Sequence, residues 1–141
     1  MAQYITENRR ARFEYDILER FEAGVVLSGP EIKAVRAKRA DLSAGYAKVL
    51  SGEAWLINMN VSGVGVEVPT RTRKLLLHKG EISRLIGLQE QKGLTLVPLG
   101  LYFKRGKAKI ELGVGKGRKL HDKREVIRKR EVARELRQQP K

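Results

Sequence analysis

The 141-residue sequence predicts a mainly β domain of the α+β class: a small, closed or partly closed antiparallel barrel with two or three flanking helices and a basic C-terminal tail. Three observations predict it. Apolar and polar residues alternate with period two over several stretches, the signature of strands with one buried face. Short glycine-containing turns join consecutive stretches, so neighbouring strands run antiparallel. Positive charge collects at the end: residues 116–141 carry 11 Lys and Arg against 4 Asp and Glu, or +7 of the net +14, with little apolar surface to bury. Closure into a barrel is expected because it removes exposed strand edges.

The first strand is expected over residues 13–27. Phe13, Tyr15, Ile17, Phe21, Ala23, Val25 and Leu27 share one parity, broken only by Glu19, and Gly24 marks a bend or bulge. Ser28-Gly29-Pro30-Glu31 reads as a helix start, with Ser28 and Glu31 in capping-box spacing and Pro30 tolerated in the first turn. That helix runs to about Arg39, turning Ile32 and Val35 inward. Residues 46–50 and 54–61 form a hairpin around Ser51-Gly52, with Trp55, Ile57, Met59 and Val61 on one face. Residues 62–68 read as a loop. Leu75-Leu76-Leu77 is a strand or the approach to a second helix over 81–91, where Ile82, Leu85, Ile86 and Gln89 recur at helical spacing before Gly93. Residues 94–103 and 107–114 make the clearest hairpin, turning at Lys104-Arg105-Gly106, and Pro98 places its strand at an edge or at a bulge.

Charge and composition narrow the function. A small domain of net charge +14 points to a polyanionic partner, nucleic acid first. Apolar runs are a handful of residues, against roughly 20 for a membrane span. The N-terminus shows no signal-peptide pattern, and a chain without cysteine has no disulfide framework. A cytoplasmic protein that engages no membrane is expected. His78 and His121 are the only histidines, and no metal-ligand spacing joins them to each other or to carboxylates. No serine sits in a nucleophile elbow. Gly113-x-Gly115-x-Gly117 lacks the spacing of a phosphate-binding loop. It reads either as a flexible exit from the barrel or as a close backbone approach to phosphate. No catalytic residue, metal site or cofactor is expected.

Several stretches suit RNA. Arg9, Arg10 and Arg12, beside Asn8, form a cluster able to bind phosphates bidentately. Lys33 lies on the polar face of the first helix, and Arg71, Arg73 and Lys74 crowd the segment before the leucine run. In the tail, Asp122 and Glu125 can cap a helix with a ragged apolar stripe, marginal alone in water and suited to folding on binding. The chain thus divides into an RNA-binding barrel, 1–117, and a tail, 118–141, disordered until bound.

The motifs together resemble one family. Glu7-Asn8-Arg9-Arg10-Ala11-Arg12, Phe21-Glu22-Ala23-Gly24, Gly29-x-Glu31-Ile32-Lys33, Pro69-Thr70-Arg71-Thr72-Arg73-Lys74-Leu75-Leu76-Leu77, Lys92-Gly93-Leu94-Thr95, Leu101-Tyr102-Phe103-Lys104 and Gly117-x-Lys119-x-His121-Asp122-Lys123-Arg124 span nearly the whole chain in order. They are similar to the SsrA-binding protein family, small protein B, the transfer-messenger RNA (tmRNA) binding protein of trans-translation. The resemblance implies an oligonucleotide-binding-type (OB) barrel and no catalysed reaction. It implies binding to the tRNA-like domain of tmRNA and delivery to stalled ribosomes, which rescues them and tags incomplete proteins.

The implied partners are that RNA, the ribosome through the 16S rRNA decoding centre and 23S rRNA, and elongation factor Tu through the aminoacylated RNA; the protein itself would be a monomer. RNA-binding positions of the family fall on Glu22, Leu76 and Lys109, and its decoding-centre motif on His121, Asp122, Lys123 and Arg124. Gly115 stands where alanine is common, which is expected to loosen the root of the tail. A general RNA-binding barrel remains the alternative on these residues, and a small nuclease a third class.

Overall fold

A computed structural model of the chain describes residues 4–118. Nine strands and three helices are described, in the order β1 (Thr6–Glu7), α1 (Arg9–Glu14), β2 (Tyr15–Val25), α2 (Gly29–Arg36), β3 (Ala40–Asp41), β4 (Tyr46–Leu50), β5 (Glu53–Ile57), β6 (Asn60–Val61), β7 (Arg73–Leu76), α3 (Lys79–Gln89), β8 (Leu94–Lys104) and β9 (Lys107–Gly117). Strands β8, β4, β5, β7, β2 and β9 pair in that order, and β9 returns to β8, so six antiparallel strands close a barrel. β1 adds to β8, and β3 with β6 forms a separate two-stranded sheet. The alternation in the sequence becomes the inner face: Ala23, Leu56, Leu75, Leu101, Ile110 and Leu112 are all buried in one core. This is the small antiparallel barrel with flanking helices that the pattern predicts.

One barrel seam is thin. β4 meets β8 at a single pair, Ala47 with Leu96. Beyond it the strands diverge, and a side chain completes the ladder: the Gln89 amide accepts from Val49 N at 2.9 Å and donates to Val49 O at 2.9 Å. Gln89 thereby ties the end of α3 to the barrel while satisfying backbone groups that would otherwise lack a partner.

Four expectations are corrected. Residues 9–14 form α1 rather than the lead-in to a strand, so Phe13 lies on a helix and is 58% exposed. The cause is Asn8, buried at the N-cap, whose Oδ1 accepts from Ala11 N while its Nδ2 donates to Leu42 O and Pro98 O. The bulge in β2 falls between Ile17 and Glu19, not at Gly24.

The second strand of the 46–61 hairpin stops at Ile57 because Asn58 takes φ of 63°. The core face of β5 is therefore Ala54 and Leu56, and the alternation restarts beyond the kink with Met59 and Val61. Finally, Gly113 and Gly115 are paired strand residues within β9, which runs on to Gly117. A Cβ on Gly113 would lie 2.8 Å from Leu99 Cδ1, and one on Gly115 2.9 Å from Tyr15 Cβ. These glycines admit the close approach of Leu99 and Tyr15; they form neither a flexible exit nor a phosphate loop. The bulge expected around Pro98 is present, between Pro98 and Gly100.

The segment between β6 and β7 is held by charge. Ser28 and Glu31 form the expected capping box at α2. The same Glu31 carboxylate, 2% exposed, accepts from Arg71 and from Arg73, which is fully buried. Each nitrogen of the Arg73 guanidinium is engaged: Nε donates to Glu31, Nη1 to the carbonyls of Met59 and Arg71, and Nη2 to the carbonyl of Pro69 while lying 2.6 Å from the Glu31 carboxylate. Burial alone would raise the Glu31 carboxyl. Hydrogen bonds from Arg71, the Ser28 backbone and Arg73 overcome it and hold the group at about 2, against 4.5 ordinarily. The folded value lies below the unfolded one, so the contribution to stability is complete above pH 4.5 and is lost as pH falls toward 2.

Two outcomes follow in chemical and acid unfolding. Arg73→Ala removes one of the two guanidinium partners of a buried carboxylate and leaves a cavity where a fully buried side chain stood, and is expected to cost about 3–5 kcal/mol in urea titrations. Wild-type stability should fall by roughly 3 kcal/mol across the acid range, a slope largely missing from Glu31→Gln.

Candidate nucleic-acid interface

Because side chains alternate along a strand, each cross-strand row of the barrel presents one set of residues outward. On one such row Leu50, Glu53, Leu76, Gly24, Lys109 and Tyr102 follow one another from β4 through β5, β7, β2 and β9 to β8; Glu53 faces Leu76 because Ala54 pairs with Leu75. Three positions that lie far apart in the sequence therefore meet. Leu76 and Lys109 are both opposite Gly24, and Glu22 is two residues before it on the same face. Gly24 is the hinge of this arrangement, since β2 exchanges β9 for β7 there. A Cβ at Gly24 would stand 3.3 Å from Leu76 Cβ, so glycine lets Leu76 lie low over the strand. Leu76 is 54% exposed, an apolar surface with no core role.

Glu22 is fixed by neighbours that the sequence did not reveal. Tyr102 Oη donates to Glu22 Oε2 at 2.5 Å, and Lys104 Nζ lies 3.5 Å away. The Tyr102 hydrogen bond holds the Glu22 carboxyl below its ordinary value, against partial burial that would raise it, and Lys104 and Lys109 pull in the same direction as Tyr102. Burial, then the Glu22 carboxylate, pushes the Tyr102 hydroxyl up, so it stays a donor. Glu22 faces Glu111 directly across β2 and β9, an arrangement of like charges that ordinarily destabilises a sheet. It is offset by a second tyrosine and an arginine: Tyr4 Oη donates to Glu111, Arg20 pairs with it at 2.6 Å, and the Tyr4 and Tyr102 rings lie 6.1 Å apart. The outcome is an ionised, oriented carboxylate whose Oε1 has only a distant lysine, beside an exposed leucine and Lys109, which has no ion pair among the described residues. Such a surface can accept N–H donors from a base or ribose hydroxyls through Glu22, take a phosphate on Lys109 and cover an apolar ring face with Leu76.

The other expected contacts divide by what already holds them. Arg73 lies inside the protein and Asn8 is buried at its cap, so both shape the fold. Arg71 is bonded to Glu31. Arg10 pairs with Glu14 at 3.0 Å, Arg12 with Glu7 at 2.8 Å, and Lys74 with Glu53 at 3.3 Å, all at the surface. Exposed pairs of this kind contribute little and exchange readily for a phosphate. Arg9 and Lys33 are exposed. His121, Asp122, Lys123 and Arg124 lie outside the described residues. No cluster of three or more His, Cys, Asp or Glu able to hold a metal occurs among the described residues, and none of their helices is long and apolar enough to cross a membrane.

Known proteins resemble this chain over most of its length. The family model described as SmpB protein matches residues 5–141. The SsrA-binding protein of Gloeothece citriformis is 52% identical over 138 residues, covering 94% of this chain and 89% of that one. The SsrA-binding protein of Synechococcus sp. (strain JA-3-3Ab) is 54% identical over 143 residues, covering 97% and 93%. Among solved structures, one described as "tmRNA-SmpB: a journey to the center of the bacterial ribosome" contains a chain 50% identical, with a TM-score of 0.66 over 79% of this chain and 82% of that one.

Tyr102→Phe removes one hydroxyl and keeps the ring. It is expected to raise the Glu22 carboxyl toward its ordinary value, read by NMR titration of that side chain, and to cost about 1 kcal/mol in urea unfolding.

Proposed function

The chain belongs to the SmpB family, and from that premise we propose that it binds the tRNA-like domain of tmRNA and carries it to stalled ribosomes in trans-translation. The observation that carries the reading is the convergence of Glu22, Leu76 and Lys109 around Gly24 on one outer face. The protein acts by binding and placement, with no reaction of its own. The fixed, exposed carboxylate of Glu22 supplies discrimination, because an RNA that covers it without donating to it leaves a charged acceptor unpaired. Lys109, Arg9 and Lys33 supply affinity by counterion release, and Arg10, Arg12 and Lys74 can turn from their carboxylates toward phosphates.

In this reading residues 118–141 form a separate functional unit. Their charge suits the rRNA-walled decoding centre and the empty messenger channel, with His121 stacking there and Asp122, Lys123 and Arg124 needed for tagging rather than for binding tmRNA. The protein is a cytoplasmic monomer that meets 16S and 23S rRNA on the ribosome and elongation factor Tu through the shared aminoacylated RNA.

A titration separates this reading from a general RNA-binding barrel. The full chain is expected to prefer the tRNA-like domain over ordinary tRNA and an unrelated hairpin, at low and at physiological salt. Lys109→Ala should weaken that binding about tenfold and lower the salt slope by about 1. Removal of residues 120–141 should leave the preference in place and abolish tagging in a reconstituted translation assay. Equal affinity for all three RNAs would contradict the proposal.

A further inference from the structure

The row of outward residues beside the Leu76–Gly24–Lys109 row reads Lys48, Trp55, Lys74 and Val26. Lys48 pairs with Trp55 across β4 and β5, Trp55 with Lys74 across β5 and β7, and Val26 N bonds to Lys74 O. The two rows are one pleat apart, about 7 Å along the strands. We infer that Trp55 is a stacking platform for an unstacked base of the bound RNA, with Lys48 and Lys74 as the phosphate contacts on either side of it.

Four features of this face point to a nucleic acid. Trp55 is half-buried on the outside of the barrel, while the inward positions of its strand, Ala54 and Leu56, fill the core without it. An indole set between two lysines matches the alternation of base and phosphate in a single strand, and base stacking on an aromatic ring tolerates any sequence. Lys48 is exposed and has no acidic partner among the described residues, and the Lys74–Glu53 pair is a surface pair at 3.3 Å that a phosphate can displace. The face is also continuous with the one built by Glu22, Leu76 and Lys109, and its apolar part, Leu50 at 49%, Val26 at 44% and Leu76 at 54% exposed, is bordered by cations. A protein partner would find positive charge without the depth of a pocket; RNA supplies both the flat ring and the negative charge. The inference rests on the RNA-binding reading above and extends its footprint by one row.

Trp55 is the only tryptophan of the chain, so its fluorescence reports this position alone. The experiment is a titration of the full chain with the tRNA-like domain of tmRNA, following both tryptophan emission and the anisotropy of labelled RNA. Stacking is expected to quench the emission and shield it from acrylamide, saturating at the RNA concentration at which anisotropy saturates. Trp55→Ala should weaken binding about five- to tenfold, Trp55→Phe should recover most of it, and Lys48→Ala should weaken it about threefold while lowering the salt slope. Thermal melts of each variant separate lost contact from lost fold, and Lys48, being exposed, gives a result independent of packing. Unchanged emission at saturating RNA, with Lys48→Ala and Trp55→Phe both binding like wild type, would overturn the platform. If Lys109→Ala still weakens binding in that case, the RNA-binding reading stands without this row; if wild type shows no preference for the tRNA-like domain, that reading itself has failed.

Discussion

The ion cluster of Glu31 with Arg71 and Arg73 sets the alignment of the barrel wall. One carboxylate closes the capping box of α2, anchors the segment leading to β7 and neutralises a guanidinium buried in the barrel wall. A buried ion pair yields little net stability compared with a well-packed apolar substitute. Its value here is in register. A slip of β7 by one residue would turn Arg73 outward and Lys74 inward, and nothing inside the barrel could satisfy the lysine in place of a five-donor guanidinium. Since β7 lies between β5 and β2, its register also decides what stands beside Gly24 and beside Trp55.

The outer face inherits that register. Leu76 meets Gly24 because Leu75 meets Val25 and Ala54 on the inside. Core packing and surface chemistry are thus two readings of one strand alignment, and a functional residue in this barrel can be lost by a change on its far side. The same logic covers Glu22. Its carboxylate opposes Glu111, and two tyrosine hydroxyls with Arg20 and Lys104 offset the repulsion. A fold indifferent to function would place a cation at one of the two positions. Keeping both carboxylates, each with its own tyrosine, yields an acceptor that is charged and aimed before any ligand arrives.

Much of the fold was legible in the sequence because it is encoded locally. Period-two alternation found the long strands, Ser28 and Glu31 announced α2, and Pro98 marked a bulge. What was missed depends on distant partners. Asn8 is an ordinary surface residue by composition; only the carbonyls of Leu42 and Pro98 make it a buried cap, and so make residues 9–14 a helix. Asn58 gave no warning of the positive φ that ends β5, so Trp55 was grouped with core residues that lie beyond the kink. By charge patterning Arg71 and Arg73 look like surface cations, because a pattern cannot show the partner they find in a glutamate about forty residues away. The candidate site was visible only through resemblance, position by position. Its coherence, and the role of Tyr102, required the barrel to close.

In the proposed function, RNA lies mainly on the outer face of β5, β7, β2 and β9. Backbone chemical-shift mapping of the full chain, with and without the tRNA-like domain at physiological salt, tests it most directly. The largest changes are expected at Gly24, Leu76, Lys109 and Trp55, with Arg73 and Asn8 nearly still. Changes absent from these strands, or spread evenly over every cationic surface, would contradict it.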